Sequence, residues 1–164
     1  MEAIVLFDTI FGNTERIAGR LVAGLQKTGI RAESANIKAA NVAELARYDL
    51  LALGAPTQYF TASKPLKKFL EQLKDLDLKG KHGFAFDTKL DSRLSGSAAK
   101  FIEKKLAELG VDIILPHASA IVMSEKKKTD RVGEAILREG MEDLFESIGK
   151  EIGTFLKTIE AGAA

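Results

Sequence analysis

The chain has no cysteine, only two histidines and three prolines, and nearly balanced charge over 164 residues. Without cysteine there are no disulfides, no thiolate catalysis, no iron–sulfur cluster and no cysteine-ligated zinc. His82 and His117 stand far apart with no metal-ligand spacing. No apolar run is long enough to span a bilayer. The opening "MEAIVLF" has neither a basic leader nor a small-residue cleavage site, which predicts a cytoplasmic protein with no membrane contact. With 24 Lys and Arg against 23 Asp and Glu, the net charge of +1 argues against a dedicated nucleic-acid binder. The one dense basic cluster, Lys126-Lys127-Lys128, reads as a solvated loop.

What is present points to an ordinary globular chain, 46% hydrophobic and 29% charged, read as one domain over 1–164. That length buries roughly two thirds of the unfolded surface. Ala3 to Phe7, Ala32 to Ile37, Leu50 to Gly54, Gly83 to Phe86, and Val111 to Met123 (interrupted by Pro116) read as five strands. Several are apolar without alternation, as strands covered on both faces are. Between them, Thr14, Ile17, Ala18, Leu21 and Leu25 keep helical spacing, as do Leu66, Phe69, Leu70 and Leu73 after Pro65. Ala99, Ile102, Leu106 and Leu109 form a third stripe. Leu137, Met141, Leu144, Phe145, Ile148, Ile152, Phe155 and Leu156 form a fourth, and Val42 to Arg47 is a shorter helix candidate. Strand and helix in alternation predict an α/β three-layer sandwich with a five-stranded parallel sheet. Ligands bind such sheets beyond the carboxyl ends of the strands, which directs attention to the loops after Phe7, Gly54 and Phe86.

The first of these loops crowds Asp8-Thr9-Ile10-Phe11-Gly12-Asn13-Thr14 into one strand-to-helix turn. Such a turn aims unpaired backbone N–H groups outward, and the helix dipole adds about half a positive charge. Phosphate binds there without any basic side chain. Thr9 and Thr14 bring hydroxyls, Asn13 an amide, and Gly12 lets the backbone close around an anion. The pattern is neither GxxxxGK[ST] nor GxGxxG, which disfavours a nucleotide triphosphatase and a nicotinamide dinucleotide fold. The plainer alternative is that Asn13 or Thr14 simply caps the helix. Four donors at the end of the first strand favour phosphate over that.

"DTIFGNTERIA" resembles the phosphate loop of the flavodoxins, and in its Asp-Thr opening most nearly the flavodoxin-like domain of flavodiiron proteins. The resemblance implies strand order 2-1-3-4-5 and an FMN phosphate held by Thr9, Ile10, Phe11, Gly12, Asn13 and Thr14, with Ile10 and Phe11 contributing only backbone N–H. "LGAPTQYFTASKPLKKFL" resembles the family's second flavin loop. There Pro56 steers the chain out of the sheet. Thr57 would bond a ribityl hydroxyl or the phosphate, with Gln58 beside it. Tyr59, in preference to Phe60, would stack on the isoalloxazine ring, although such a pair also suits a core. Gln58 to Ser63 contains no glycine, so a peptide turning to positive φ is costly, and strong stabilisation of a one-electron-reduced flavin is not expected. "FAFDTKLDSRLSGSAAKF" resembles the third loop, where the backbone of Asp87, Thr88 and Lys89 would meet the flavin's pyrimidine edge. Gly96 is counted with the cofactor-binding residues of this loop, although Gly96 and Ser97 also read as the opening of the next helix, with Ser97 as N-cap. Ser95-Gly96-Ser97 is not a nucleophile elbow. A receiver-type phosphorylation site at Asp87 finds only Asp8 as an acidic neighbour.

The resemblance thus implies an FMN-binding electron-transfer protein, with redox proteins as partners, in a monomer or weak homo-oligomer. An FMN-dependent NAD(P)H:quinone reductase of the same fold is the first rival, a flavin-free signalling or scaffold module the second. The two histidines cannot assemble a flavodiiron iron site. Near-zero net charge predicts weaker salt dependence of electron transfer than acidic flavodoxins show.

Overall fold

The computed structural model describes residues 1–58, 60–124 and 135–163. Eight strands, β1 (Glu2–Phe7), β2 (Arg31–Asn36), β3 (Leu50–Gln58), β4 (Thr61–Ala62), β5 (His82–Leu90), β6 (Asp112–Ile113), β7 (Ala118–Ser124) and β8 (Ala135–Leu137), form one sheet. Its order is β2-β1-β3-β5-β7-β8, with β4 on β3 and β6 on β5. The parallel strands β2-β1-β3-β5-β7 reproduce the expected order 2-1-3-4-5. Two departures from a purely parallel sheet are β8, antiparallel to β7, and β4, which folds back on β3 as a hairpin. The predicted fifth strand is broken where expected. β6 pairs with the start of β5 and β7 with its end, and Pro116, which has no N–H to offer a ladder, lies between them.

Four helices, α1 (Asn13–Lys27), α2 (Lys64–Gln72), α3 (Ala98–Glu108) and α4 (Met141–Gly162), cover the sheet. Leu66, Phe69 and Leu70 of α2 and Ile102 and Leu106 of α3 bury against one face with Leu6, Leu53 and Ala85. Ile17, Leu21 and Leu25 of α1 and Phe145, Ile152 and Leu156 of α4 bury against the other with Val5, Phe84 and Phe86. The short segment Val42–Arg47 is a 3-10 turn capped by Asn41, whose side chain accepts the Ala43 N–H.

The fourth apolar stripe is corrected in two ways. Leu137 belongs to β8, because Gly140 at φ 86 turns the chain before α4 begins at Met141. Leu144 and Phe155 are each 45% exposed. The face of α4 that meets α1 runs instead through glycines. A Cβ on Gly24 would lie 2.1 Å from the Glu146 carbonyl oxygen, and one on Gly149 2.3 Å from that of Leu21. Backbones this close leave no room for large side chains and shift the contact away from Leu144 and Phe155.

Ion pairs flank the helix contact. Arg16 meets Glu142 at 3.1 Å, Arg20 meets Glu146 at 3.1 Å, and Lys27 also bonds Glu146. The Lys27 ammonium, helped by Lys150 and Arg20, holds the Glu146 carboxyl below the usual carboxylate range, against a burial effect of opposite sign. A carboxyl with a depressed folded pKa stabilises the fold above its unfolded value and loses that contribution as pH falls through the folded one. The melting temperature should therefore drop as pH falls below about 4.5, and Glu146→Gln should flatten that drop. Thermal melts across an acid pH series check this, and an unchanged pH profile in the variant counts against it.

Candidate functional site

Two buried carboxylates organise the carboxyl edge of the sheet. Asp8 follows β1, donates its N–H to the Gly54 carbonyl at 3.0 Å and accepts the Ser63 hydroxyl at 2.5 Å. Ser63 in turn caps α2 by accepting the Leu66 N–H. Asp87 is fully buried on β5. One oxygen accepts from Thr57 Oγ1 at 3.0 Å, Ser97 Oγ at 2.8 Å and the Ala99 N–H at 3.0 Å, while the other has no partner. Ser97 caps α3 through Lys100, as expected, and Thr57 Oγ1 also accepts the Ala98 N–H at 2.9 Å. Asp87 therefore ties β3, β5 and the start of α3 into one unit.

Asp87→Asn would turn the partnerless oxygen into an amide with two donors and no acceptor. A buried unsatisfied group costs about 1–3 kcal/mol. Urea unfolding should show a loss of about 2 kcal/mol, and an unchanged midpoint contradicts this role.

Between those anchors, the first loop keeps an open mouth. Thr9 Oγ1 accepts the Gly12 N–H at 3.0 Å and rounds the turn. Gly12, at φ 86, is the N-cap of α1, which has no side-chain cap. The capping alternative for Asn13 and Thr14 is thereby removed. Thr14 Oγ1 instead shares a hydrogen bond with Thr88 Oγ1 at 3.0 Å, joining the first loop to β5. A Cβ built on Gly12 meets nothing within 4 Å, so the turn opens to free space. Ile10 and Phe11 are exposed, Phe11 by 60%, whereas Asn13 and Thr14 are buried.

Beside this turn lies a cavity of about 290 Å³. It gathers Thr9, Ile10, Phe11, Asn13 and Thr14 from the first loop, Pro56, Thr57 and Gln58 from β3, and Thr88 and Lys89 from β5. Leu90 and Val122, outside the residues expected from the sequence, complete the wall. Leu90 had a signal: Phe86, Thr88 and Leu90 alternate at strand period. Val122 had none beyond its place in an apolar run.

Several expectations need correction. Pro56, Thr57 and Gln58 are not a loop but the last residues of β3, because Pro56 pairs with Thr88 while Thr57 and Gln58 pair with β4. Asp87, Thr88 and Lys89 likewise belong to β5, held between β3 and β7. The side chains of Asp87 and Thr57 are occupied with each other. Phe60 and Gly96 are not in the cavity of the first loop. They pair with one another and line a separate groove of about 590 Å³ along α3. A Cβ on Gly96 would lie 2.2 Å from the Phe60 carbonyl oxygen, so this contact requires glycine. Phe60 is 69% exposed and sits at φ 70, the only non-glycine positive φ among the described residues. The hairpin thus enters positive φ without a glycine, which the sequence reading counted as costly. Tyr59 and Lys126-Lys127-Lys128 lie outside the described residues.

Residues 5–147 match the sequence model of the Flavodoxin family. The chain belongs to the flavodoxin family. A flavodoxin of Clostridium saccharobutylicum is 30% identical over 89 residues, covering 54% of this chain and 56% of that protein. The chain therefore spans little more than half the length of the curated relative it matches. Among solved structures, a flavodoxin from the domain Archaea superposes with a TM-score of 0.77 at 24% identity, covering 96% of this chain and 99% of the other. Oxidised Flavodoxin 1 from Bacillus cereus gives 0.76 at 20% identity, over 92% and 96%. The rubredoxin oxygen:oxidoreductase of Desulfovibrio gigas gives 0.77 at 18% identity over 96% of this chain but only 36% of that longer protein. These likenesses show the flavodoxin fold. Flavodoxins bind FMN, and the uncapped, outward-facing turn at Gly12 suits the phosphate end of that molecule. No helix among the described residues is long and apolar enough to cross a membrane.

Proposed function

We propose that this flavodoxin-like domain, read as one unit over 1–164, is a cytoplasmic electron carrier holding FMN at the carboxyl edge of its sheet. The uncapped start of α1 carries this reading. Asn13 and Thr14 of its first turn line the same cavity as Thr9, so an anion there would meet hydroxyls, an amide and a positive dipole end, with Lys89 the one basic residue of the wall among the described residues.

Bound FMN supplies the redox chemistry; the polypeptide supplies grip, orientation and electrostatics. Thr9 to Thr14 would receive the phosphate. Pro56 to Gln58 and Thr88 to Leu90 would flank the ribityl chain, with Leu90 and Val122 as the apolar part of the wall. The β3–β4 hairpin and the segment that runs from β5 to Gly96 would hold the ring between them, with Tyr59 and Phe60 as the stacking candidates the sequence offers. Asp87 holds those two walls at fixed separation through Thr57 and Ser97. In this reading the function is transfer of electrons between protein partners.

The test is reconstitution. Purified protein incubated with FMN should quench flavin fluorescence, show oxidised-flavin absorption bands and bleach with dithionite. NADPH alone should leave the bands unchanged. Rapid bleaching by NADPH with turnover of a quinone would instead favour the reductase, and no FMN uptake would favour the flavin-free module.

A further inference from the structure

The two helical layers treat their charges differently. On α1 and α4 every cation is paired: Arg16, Arg20, Lys27, Lys150 and Lys157 all meet glutamates. On the opposite layer, α2 and α3 together carry six lysines against three glutamates. Among the described residues only Lys105 of those six forms an ion pair, with Glu108. Lys64, Lys68, Lys100 and Lys104 point to solvent, and Lys67 lies over the Phe101 ring, 5.2 Å from its centroid. Two of the three glutamates are already neutralised within the layer, Glu71 by Lys74 and Glu108 by Lys105, and the third, Glu103, faces His117.

This cationic face runs up to the β3–β4 hairpin. The groove along α3 begins at Phe60 and Gly96, where the β3–β4 hairpin meets the start of α3, and passes between Lys100, Phe101 and Lys104. Its Phe60 end is an exposed aromatic on a strained backbone. Exposed Phe60 and half-buried Phe101, beside unpaired lysines, make a protein-docking surface with an apolar centre and a charged rim. A chain of net charge +1 has no global field, so this local excess must steer any partner.

We propose that the α2–α3 face docks an acidic protein, a carboxylate-rich electron-transfer partner that approaches the site over Phe60. Calling the partner a redox protein rests on the flavin reading; the docking does not. Electron transfer to such a partner slows with added salt, in contrast to the weak dependence expected from net charge alone, because the lysines are gathered on one face.

The probe is deca-glutamate, titrated into the nitrogen-15-labelled full chain and followed by amide shifts at about 20 mM and about 150 mM salt. Binding should be saturable, displace the amides of α2 and α3, leave α1 and α4 unmoved, and weaken at the higher salt. The variant K64E/K68E/K100E/K104E should bind about tenfold or more weaker, with an unchanged circular-dichroism melt. The neutral variant with glutamine at the same four positions should fall between, and reversing Lys150 and Lys157 on α4 should change nothing. Shifts spread over all faces, or equal affinity in the charge-reversed variant, would overturn the proposal. So would binding of a short DNA duplex with none of deca-glutamate. FMN uptake measured on the same samples separates this result from the flavin reading, since the titration does not depend on the cofactor.

Discussion

Thr9→Asp should weaken FMN binding by about two orders of magnitude while leaving riboflavin binding nearly unchanged. Thr9 Oγ1 accepts the Gly12 N–H, and a carboxylate accepts the same bond, so the turn keeps its shape. What changes is charge. A unit pair at about 4 Å in an effective dielectric of about 20 is worth about 4 kcal/mol. Exposure of the loop lowers that to roughly 3 kcal/mol, which corresponds to about two decades of affinity. Thr9→Ser, which keeps both the acceptor and the hydroxyl, should bind FMN as the parent does. Fluorescence titration of both flavins measures the effect. Equal loss for FMN and riboflavin would mean that the loop had collapsed, and no loss for either would place the phosphate elsewhere.

Gly24→Val should damage the fold severely. The new Cβ would meet the Glu146 carbonyl oxygen at 2.1 Å, Gly149 Cα at 2.8 Å and the Lys150 nitrogen at 2.8 Å. All three are backbone atoms of α4, so no side chain can swing aside and the two helices must part. Overpacking of this kind costs about 1–3 kcal/mol and occasionally more, and parting also opens the buried contacts of Leu21 and Ile152. A loss of about 3–4 kcal/mol, or roughly 10 °C in melting temperature, is expected. Gly19→Ala on the same helix is the opposite control. Its Cβ meets nothing within 4 Å, and removing a mid-helix glycine should stabilise by about 0.5–1 kcal/mol. Equal responses at the two positions would contradict the interlocked helix contact.

The sequence disclosed the sheet because its central strands are buried on both faces. Runs such as Ile4-Val5-Leu6-Phe7 and Leu50-Leu51-Ala52-Leu53 have no other use. The three prolines are all found at boundaries: Pro56 near the end of β3, Pro65 in the first turn of α2, and Pro116 in the gap between β6 and β7. The first-loop turn was legible as a candidate anion site because glycine and hydroxyl residues of this kind seldom cluster for other reasons. Less visible was the extent of β3 and β5 past Gly54 and Phe86. Pro56 and Asp87 are poor strand formers by type, and pairing between the two strands is what makes these segments regular. The glycine contact of α1 with α4 was hidden for a related reason. An apolar stripe announces a packed face, whereas Gly24, Gly149 and Gly153 carry no hydrophobic signal. The charge asymmetry of the two helical layers was invisible in a net charge of +1, since pairing depends on which helices become neighbours.

One comparison tests the central claim most directly, namely the affinities of the unmodified protein for FMN and for riboflavin at neutral pH. The two molecules differ only in the phosphate. A dianion gripped by the Thr9–Thr14 turn and the start of α1 predicts that FMN binds about a hundredfold or more tightly, with the preference shrinking as the phosphate is protonated. Equal affinities would contradict the account, whatever the colour of the complex.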